Sequence, residues 1–429
     1  MQTVVLKGAH IVTPREVTKA DLLIKGTRIA RLGTNLSADK AIDCEGCYVL
    51  PGFRDQHIHD INGFNKHLDD PQRLAKVSKA LASQGVAAYI IATTAAPLGK
   101  LTSYMNTIGR YMNSERNGLD GARLEGANIE GTFIRKECAG AQPHEYIVPP
   151  DHPEAKDILE ALTKADVVRL INIAPDFGTD LIEHASSHGA IVGCGHCLAT
   201  AEQLADGLRH GLRFVVHLMN GAIGRSFKPF DGGGTYEGAL TLPLFVELIV
   251  DGYHVDFRYV SDVIIRRIRQ GRGHEVIAVT DGIFPIPEEI PEEFRIYSTL
   301  CSRSSDDGVF VVKGRVNEDG ESLAVPRNTL CSSKLTMDKA FENLLNLLTV
   351  DFQGFMIDRK ALHFDDALRY TAMFTAGNQA LLQGKSDDTG STEPGKLADL
   401  TVLAIHGEPG KYSVEVRGTY VNGNILSSG

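Results

Sequence analysis

The hydrophobic pattern of this chain is clearest between Gly193 and Asn220. There two short apolar runs, Ala190–Gly193 and Arg213–Val216, flank a segment with apolar residues at helical spacing (Leu198, Leu204 and Leu208), which predicts one strand–helix–strand unit. From Phe53 to about Leu382 the same alternation recurs. Its strand ends read DQHIH, IIATT, ANIEG, INIAP, VGCGH, VVHLMN, IVDGYH and AVTDG, and helical patterns such as Pro71–Ala82, Glu202–Leu208 and Ser261–Arg269 follow them. Such runs predict a (β/α)8 barrel, with a doubly wound open sheet as the alternative. The barrel is favoured because polar, chemistry-capable residues close the first, third, fifth, sixth, seventh and eighth runs, and only a closed ring brings them to one centre.

Both ends of the chain have a different character. Val4–Leu6, Asp21–Ile24, Arg28–Arg31 and Tyr48–Leu50 are β-type runs between turns, and Leu400–Ala404 and Tyr412–Leu426 repeat them after the turn-rich linker Gly384–Gly395. Neither end has the apolar surface to fold alone, so residues 1–52 and 384–429 are expected to build one β-sandwich beside a catalytic barrel of residues 53–383.

Composition narrows the function classes. The 429 residues are 43% hydrophobic, and 44 Lys and Arg against 54 Asp and Glu give a formal charge of −10. That balance argues against nucleic acid or an anionic membrane as the main partner. No apolar run reaches the length of a membrane span, and the start MQTVVLKGAH lacks the pattern of a secretory signal, so a cytoplasmic location is expected. Seven cysteines, an odd number in a long chain, fit reduced thiols better than a disulfide framework. Cys44/Cys47 and Cys194/Cys197 lie too far apart for a zinc ribbon, and the Gly232–Gly234 run lacks the setting of a dinucleotide or Walker motif.

The candidate chemistry sits at the strand ends. His196 and His217 end consecutive predicted strands, and in a parallel unit they stand side by side on one edge. His57 and His59 form an H-x-H whose period of two points both imidazoles to one side. Glu130 ends the third run and Asp281 the eighth. Imidazoles and carboxylates converging in this way suit zinc or a similar divalent ion with a position left for water, and an aspartate beside it can take and return a proton. The combination points to metal-assisted hydrolysis of an amide or similar bond. His184, His188, His210 and His274 fall in helical segments and read as solvated, and the acidic stretch Glu288–Glu293 reads as an exposed connection, with a lid as the alternative.

NIEGTF around Glu130, GHCLAT at His196, HLMNG at His217, DGYHVD around His254, AVTDG at Asp281, LTMDKA at Leu335 and PGKLADL at Pro394 together resemble the N-acetylglucosamine-6-phosphate deacetylase family of the amidohydrolase superfamily. The resemblance covers nearly the whole chain. It implies a metal on Glu130, His196 and His217, Asp281 as general base and then acid, and contact of His254, Asn220 and Gly221 with an amino sugar. It also implies a homodimer, and one or two divalent ions, most simply zinc, with His57 and His59 available for the second. The fourth strand, Val167–Ile173, has no lysine near its end to bridge two ions, which leaves Glu130 as the bridge. Three departures bear on the substrate, the first being Glu130-Gly131-Thr132 where the family typically carries EGP. Where the family carries a histidine in a GAHNP-like segment, either Gln142 stands in its place or His144 has shifted into it; and the family's phosphate-binding arginine aligns with Lys228, with Arg225 nearby. The expected activity is removal of acetyl from N-acetylglucosamine-6-phosphate or a close relative. Another N-acyl substrate, or a non-catalytic barrel scaffold, are the alternatives.

Overall fold

The structure, a computed structural model, describes residues 3–220, 233–305, 307–316, 320–325, 329–353 and 358–428. Its centre is an eight-stranded sheet of parallel neighbours: Phe53–His59, Val86–Thr93, Arg123–Phe133, Val168–Ile173, Ile191–Cys194, Leu212–Val215, Phe245–Ile249 and Val276–Val279. Every residue of the first two strands is buried, as expected where helices cover one face of a parallel sheet and side chains fill the other.

The seam between the eighth and first strands is joined by long-range hydrogen bonds. His59 N–H donates to Gly282 O at 2.7 Å, and Asp281 N–H donates to His57 O at 2.9 Å. Lower down, the Gln379 side-chain amide donates to Arg54 O at 2.6 Å and to Ala278 O at 3.0 Å. These bonds close the predicted barrel and bring Asp281 beside His57, more than two hundred residues away in sequence.

The outer helices form where the sequence supplies both an apolar stripe and caps. Ala201–Arg209 starts with a capping box between Thr200 and Gln203 and buries Leu204. Phe257–Arg269 is capped by the Asp256 carboxylate, buries Val260, Val263 and Ile264, and carries Arg266, Arg267 and Arg269 in its last turn, where positive charge offsets the helix dipole. Among the described residues no helix is long and apolar enough to cross a membrane.

Both chain ends enter one eight-stranded, mainly antiparallel sheet, in which Leu400–His406 pairs antiparallel with Tyr48–Pro51. Leu6, Ile11, Leu22, Val49, Leu400 and Tyr420 share its apolar core, so the two ends bury each other's surface as a sandwich from both termini requires.

A second antiparallel sheet follows the eighth barrel strand and was not expected from the sequence. Glu293–Ile296, Thr299–Arg303, Val309–Val316, Ser322–Leu323 and Leu330–Ser333 form it. The acidic stretch expected as an exposed connection is so only in part: Glu288, Glu292 and Glu293 are exposed, whereas Glu289 is tied to Arg73 at 2.6 Å and Glu293 begins the sheet. This sheet corrects the expectation of reduced thiols. Cys301 and Cys331 lie on strands flanking Val309–Val316, their Cα atoms 6.3 Å apart, and are joined in a disulfide. The pairing comes from strand register, which a count of cysteines does not contain. The other five are free, with Cys44 and Cys47 in the terminal sheet region and Cys194 and Cys197 at the fifth barrel strand.

Candidate metal centre and substrate cavity

His57 and His59 occupy alternate positions at the end of the first strand, and both reach the barrel mouth. His57 Nε2 lies 3.5 Å from Glu130 Oε1 and 3.6 Å from Asp281 Oδ1. His59 Nε2 lies 3.3 Å from Asp281 Oδ1 and 3.5 Å from Glu130 Oε2. The same Glu130 Oε1 is 3.1 Å from His196 Nε2 and 3.0 Å from His217 Nε2, and those two nitrogens are 3.1 Å apart. All six side chains named from the sequence therefore converge, with Glu130 between two groups of imidazoles.

The local backbone explains how three of them aim inward. His196, His217 and Asp281 each follow the last ladder residue of their strand by two positions and have φ of 49°, 27° and 48°. Such left-handed conformations cost non-glycine residues roughly 1–3 kcal/mol each and persist where surrounding structure holds them. Here backbone and side-chain bonds do so: Arg135 N–H donates to His196 O at 3.0 Å, and Ser333 N–H donates to Asp281 O at 3.1 Å, with the Ser332 hydroxyl on the same oxygen. Glu130 differs from expectation in lying within its strand, which runs on to Phe133.

The ring fits a divalent cation on its own geometry. His57 Nε2 is buried without a hydrogen-bond partner, and its distances to the carboxylates are too long for good hydrogen bonds. Ligand atoms of His57, His59 and Asp281 form one compact group, and those of His57, Glu130 and His217 another, each within 4.8 Å. The 3.0–3.1 Å triangle of Glu130, His196 and His217 is close to the roughly 3.4 Å separation of ligands around a tetrahedral ion at 2.0–2.1 Å. His196 Nδ1 donates to Cys138 O at 2.7 Å, which leaves Nε2 as the electron-pair donor.

Electrostatics agree. Burial works against charge on His57, yet the close carboxylates of Glu130 and Glu247 push its pKa well above the ordinary imidazole value. His196 is raised against burial in the same way by Glu130. Burial would raise Glu130, but the hydrogen bonds of His196 and His217 and the nearby His57 hold it well below the usual carboxylate range. Asp281 is held low against burial by the His59 hydrogen bond and the charges of His57 and His59. The ring demands positive charge, and protons supply it when no cation is bound.

Beside the ring lies a cavity of ≈ 410 Å³, lined among others by Gln142, Asn220, Tyr253, His254, Ile296 and Ser332. Of the two candidates for the inner position, Gln142 takes it: its amide donates to Glu130 Oε2 at 2.6 Å while its own oxygen accepts Ala95 N–H at 2.8 Å. His144 instead faces outward to Arg315, 2.6 Å from Nη1. His254 Nδ1 bonds Asp251 Oδ2 at 2.7 Å, which leaves Nε2 for another partner. Gly221, Arg225 and Lys228 lie outside the described residues. His184 and His210 keep some exposure and His188 and His274 are exposed, all away from the ring.

Sequence reasoning missed two parts of the site. One is Glu247, buried behind His57; a lone acid inside the apolar strand FVELI was its signal. The other is the insertion sheet, which contributes Ile296, Leu330 and Ser332 to the cavity wall.

The chain is thus a closed parallel (β/α)8 barrel whose histidine–carboxylate ring, at the carboxyl ends of its strands, could hold a divalent metal ion. Curated proteins and solved structures similar to the chain include N-acetylglucosamine-6-phosphate deacetylases. The protein of that name from Bacillus subtilis (strain 168) is 25% identical over 414 residues, covering 94% of this chain and 93% of the relative. The one from Vibrio furnissii is 29% identical over 210 residues, 48% of this chain and 51% of the relative. An N-acetylgalactosamine-6-phosphate deacetylase of Escherichia coli O157:H7 is 23% identical, with 83% of each covered. Among solved structures, the Pasteurella multocida N-acetylglucosamine-6-phosphate deacetylase shares the fold with a TM-score of 0.80 at 21% identity and full coverage of both chains. No protein-family model matches the chain.

Proposed function

We propose that this protein is a metal-dependent deacetylase that hydrolyses the amide of an N-acetylated amino sugar, N-acetylglucosamine-6-phosphate or a close relative, to acetate and a free amine. The observation that carries this reading is Glu130 set between His196 and His217 at 3.0–3.1 Å on one side and the His57, His59 and Asp281 group on the other, facing one cavity. Glu130, His196 and His217 would hold the first divalent ion, most simply zinc. His57, His59 and Asp281, with Glu130 as bridge, would hold a second. A cation there supplies Lewis acidity, lowering the pKa of water toward about 7 and polarising the amide carbonyl.

The chain's own residues do the rest. Asp281, kept anionic by the histidines beside it, takes the proton of the attacking water and returns it to the leaving amine. Gln142 orients Glu130 through its amide, and His254, fixed by Asp251, meets the sugar together with Asn220 and Gly221. Lys228 and Arg225 are assigned to the phosphate on sequence alone. We further read the protein as a cytoplasmic homodimer, with the terminal β unit of residues 1–52 and 384–429 supporting a barrel of residues 53–383.

Amine release from N-acetylglucosamine-6-phosphate, its galacto epimer and the unphosphorylated sugars, measured with metal content on the same preparation, tests the reading. Turnover of a 6-phosphate that disappears on chelation and returns with zinc is expected. Metal-replete protein inert toward all of them would overturn it.

A further inference from the structure

Glu247 sits in the middle of the seventh strand and is fully buried. A carboxylate so placed needs donors, and three converge on it. Gln56 Nε2 donates to Oε1 at 2.7 Å. On Oε2 meet His57 Nδ1 at 3.2 Å and the His217 backbone N–H at 3.3 Å. The Gln56 amide is itself oriented, because its oxygen accepts from Gln383 Nε2 at 3.1 Å and the Gln383 oxygen accepts from Arg54 at 2.6 Å. Gln56 therefore presents its NH2 to Glu247, and Glu247 acts as acceptor at both oxygens.

His57 and His217 both face Glu130 Oε1, and Glu247 touches both. With Nδ1–H donated to Glu247, His57 has its lone pair on Nε2, the buried atom without a partner that faces Glu130 and Asp281. We propose that Glu247 is the positioning residue of the metal centre: by accepting His57 Nδ1–H it fixes the ring in the tautomer that can ligate, and so governs loading of the ion shared by His57, His59 and Asp281. The inference rests on the reading of the ring as a metal centre. Its second contact, to the backbone of His217 at φ 27°, also ties the turn that carries the first-ion ligand to the same carboxylate.

Glu247→Gln separates positioning from packing because it keeps the shape. Gln56 offers only NH2, so the new amide must turn its oxygen to Gln56 and its NH2 to His57, which drives the His57 proton from Nδ1 to Nε2 and blocks ligation. Two measurements on the full chain test this: zinc titration by calorimetry with metal analysis after stripping by chelator, and ring-nitrogen NMR of His57 at a pH high enough for its imidazole to be neutral. Two ions are expected to bind the unmodified protein. Glu247→Gln should weaken the second by about 10–100-fold, weaken the first less, through the donor now set against the His217 N–H, and move the His57 proton to Nε2. Glu247→Asp, which keeps the charge but retracts it, should fall between the two and keep the Nδ1–H form. Uptake of one ion by the unmodified protein, equal second-ion affinity across the three proteins, or an unchanged tautomer in Glu247→Gln would overturn the proposal. Because these readouts count ions and protons, they stand or fall separately from deacetylase turnover.

Discussion

Gln142 grips Glu130: its side-chain amide lies 2.6 Å from Glu130 Oε2, and its oxygen is anchored by Ala95 N–H at 2.8 Å. The carboxylate between the two histidine groups is thus held from the strand-three loop, by a neutral donor that adds no charge of its own. Gln142→Met keeps the length but removes both hydrogen bonds. It should lower kcat/KM or zinc affinity by about 10–100-fold, the usual effect of losing a partner of a metal ligand. Steady-state kinetics at saturating zinc alongside a zinc titration would separate the two, and a variant unchanged in both would remove Gln142 from the machinery.

Glu130 itself is expected to be indispensable. Glu130→Gln takes away the anion that faces His57, His59, His196 and His217 together, so metal content and amine release should both collapse. A metal-replete, active variant would refute its place as the bridging ligand.

Asp281 should behave differently. Its φ of 48° is one that asparagine adopts readily, so Asp281→Asn keeps the turn. The first ion, on Glu130, His196 and His217, should remain, while turnover falls by about 10²–10⁴-fold through loss of general acid–base catalysis. Loss of all metal in this variant would make Asp281 a structural ligand instead.

His144 gives a pH signature outside the ring. Burial, then the charges of Arg315 and Lys136, lower its pKa against the weaker opposing pull of Glu145 and Glu137. A histidine with a folded pKa below its unfolded value near 6.5 favours folding fully above that pH, and the contribution is lost as pH falls through the folded pKa. Histidine NMR of the full chain should show His144 titrating below the ordinary value, and Arg315→Leu should move it upward. An ordinary titration in the unmodified protein would contradict the contact with Arg315 Nη1.

The sequence by itself determined the parts of this protein that rest on local periodicity. A strand pattern of period two is enough to put His57 and His59 on one side, and parallel strands joined by helices are enough to put His196, His217 and Asp281 on one edge. That is why the barrel, the β unit built from both ends and the six convergent side chains were readable before any coordinates. Only the tertiary structure decided what depends on residues distant in sequence meeting at hydrogen-bond range. Gln142 rather than His144 reaches Glu130 because Ala95 and Arg315 hold that loop from two separate elements. Glu247 becomes part of the centre because barrel closure sets the seventh strand behind the first, 190 residues apart in sequence. Cys301 finds Cys331, and Ser332 the Asp281 carbonyl, through the register of an insertion sheet whose short strands carry too little periodicity to announce themselves. Period and composition act along the chain, whereas register and loop packing are settled by which distant surfaces exclude water together.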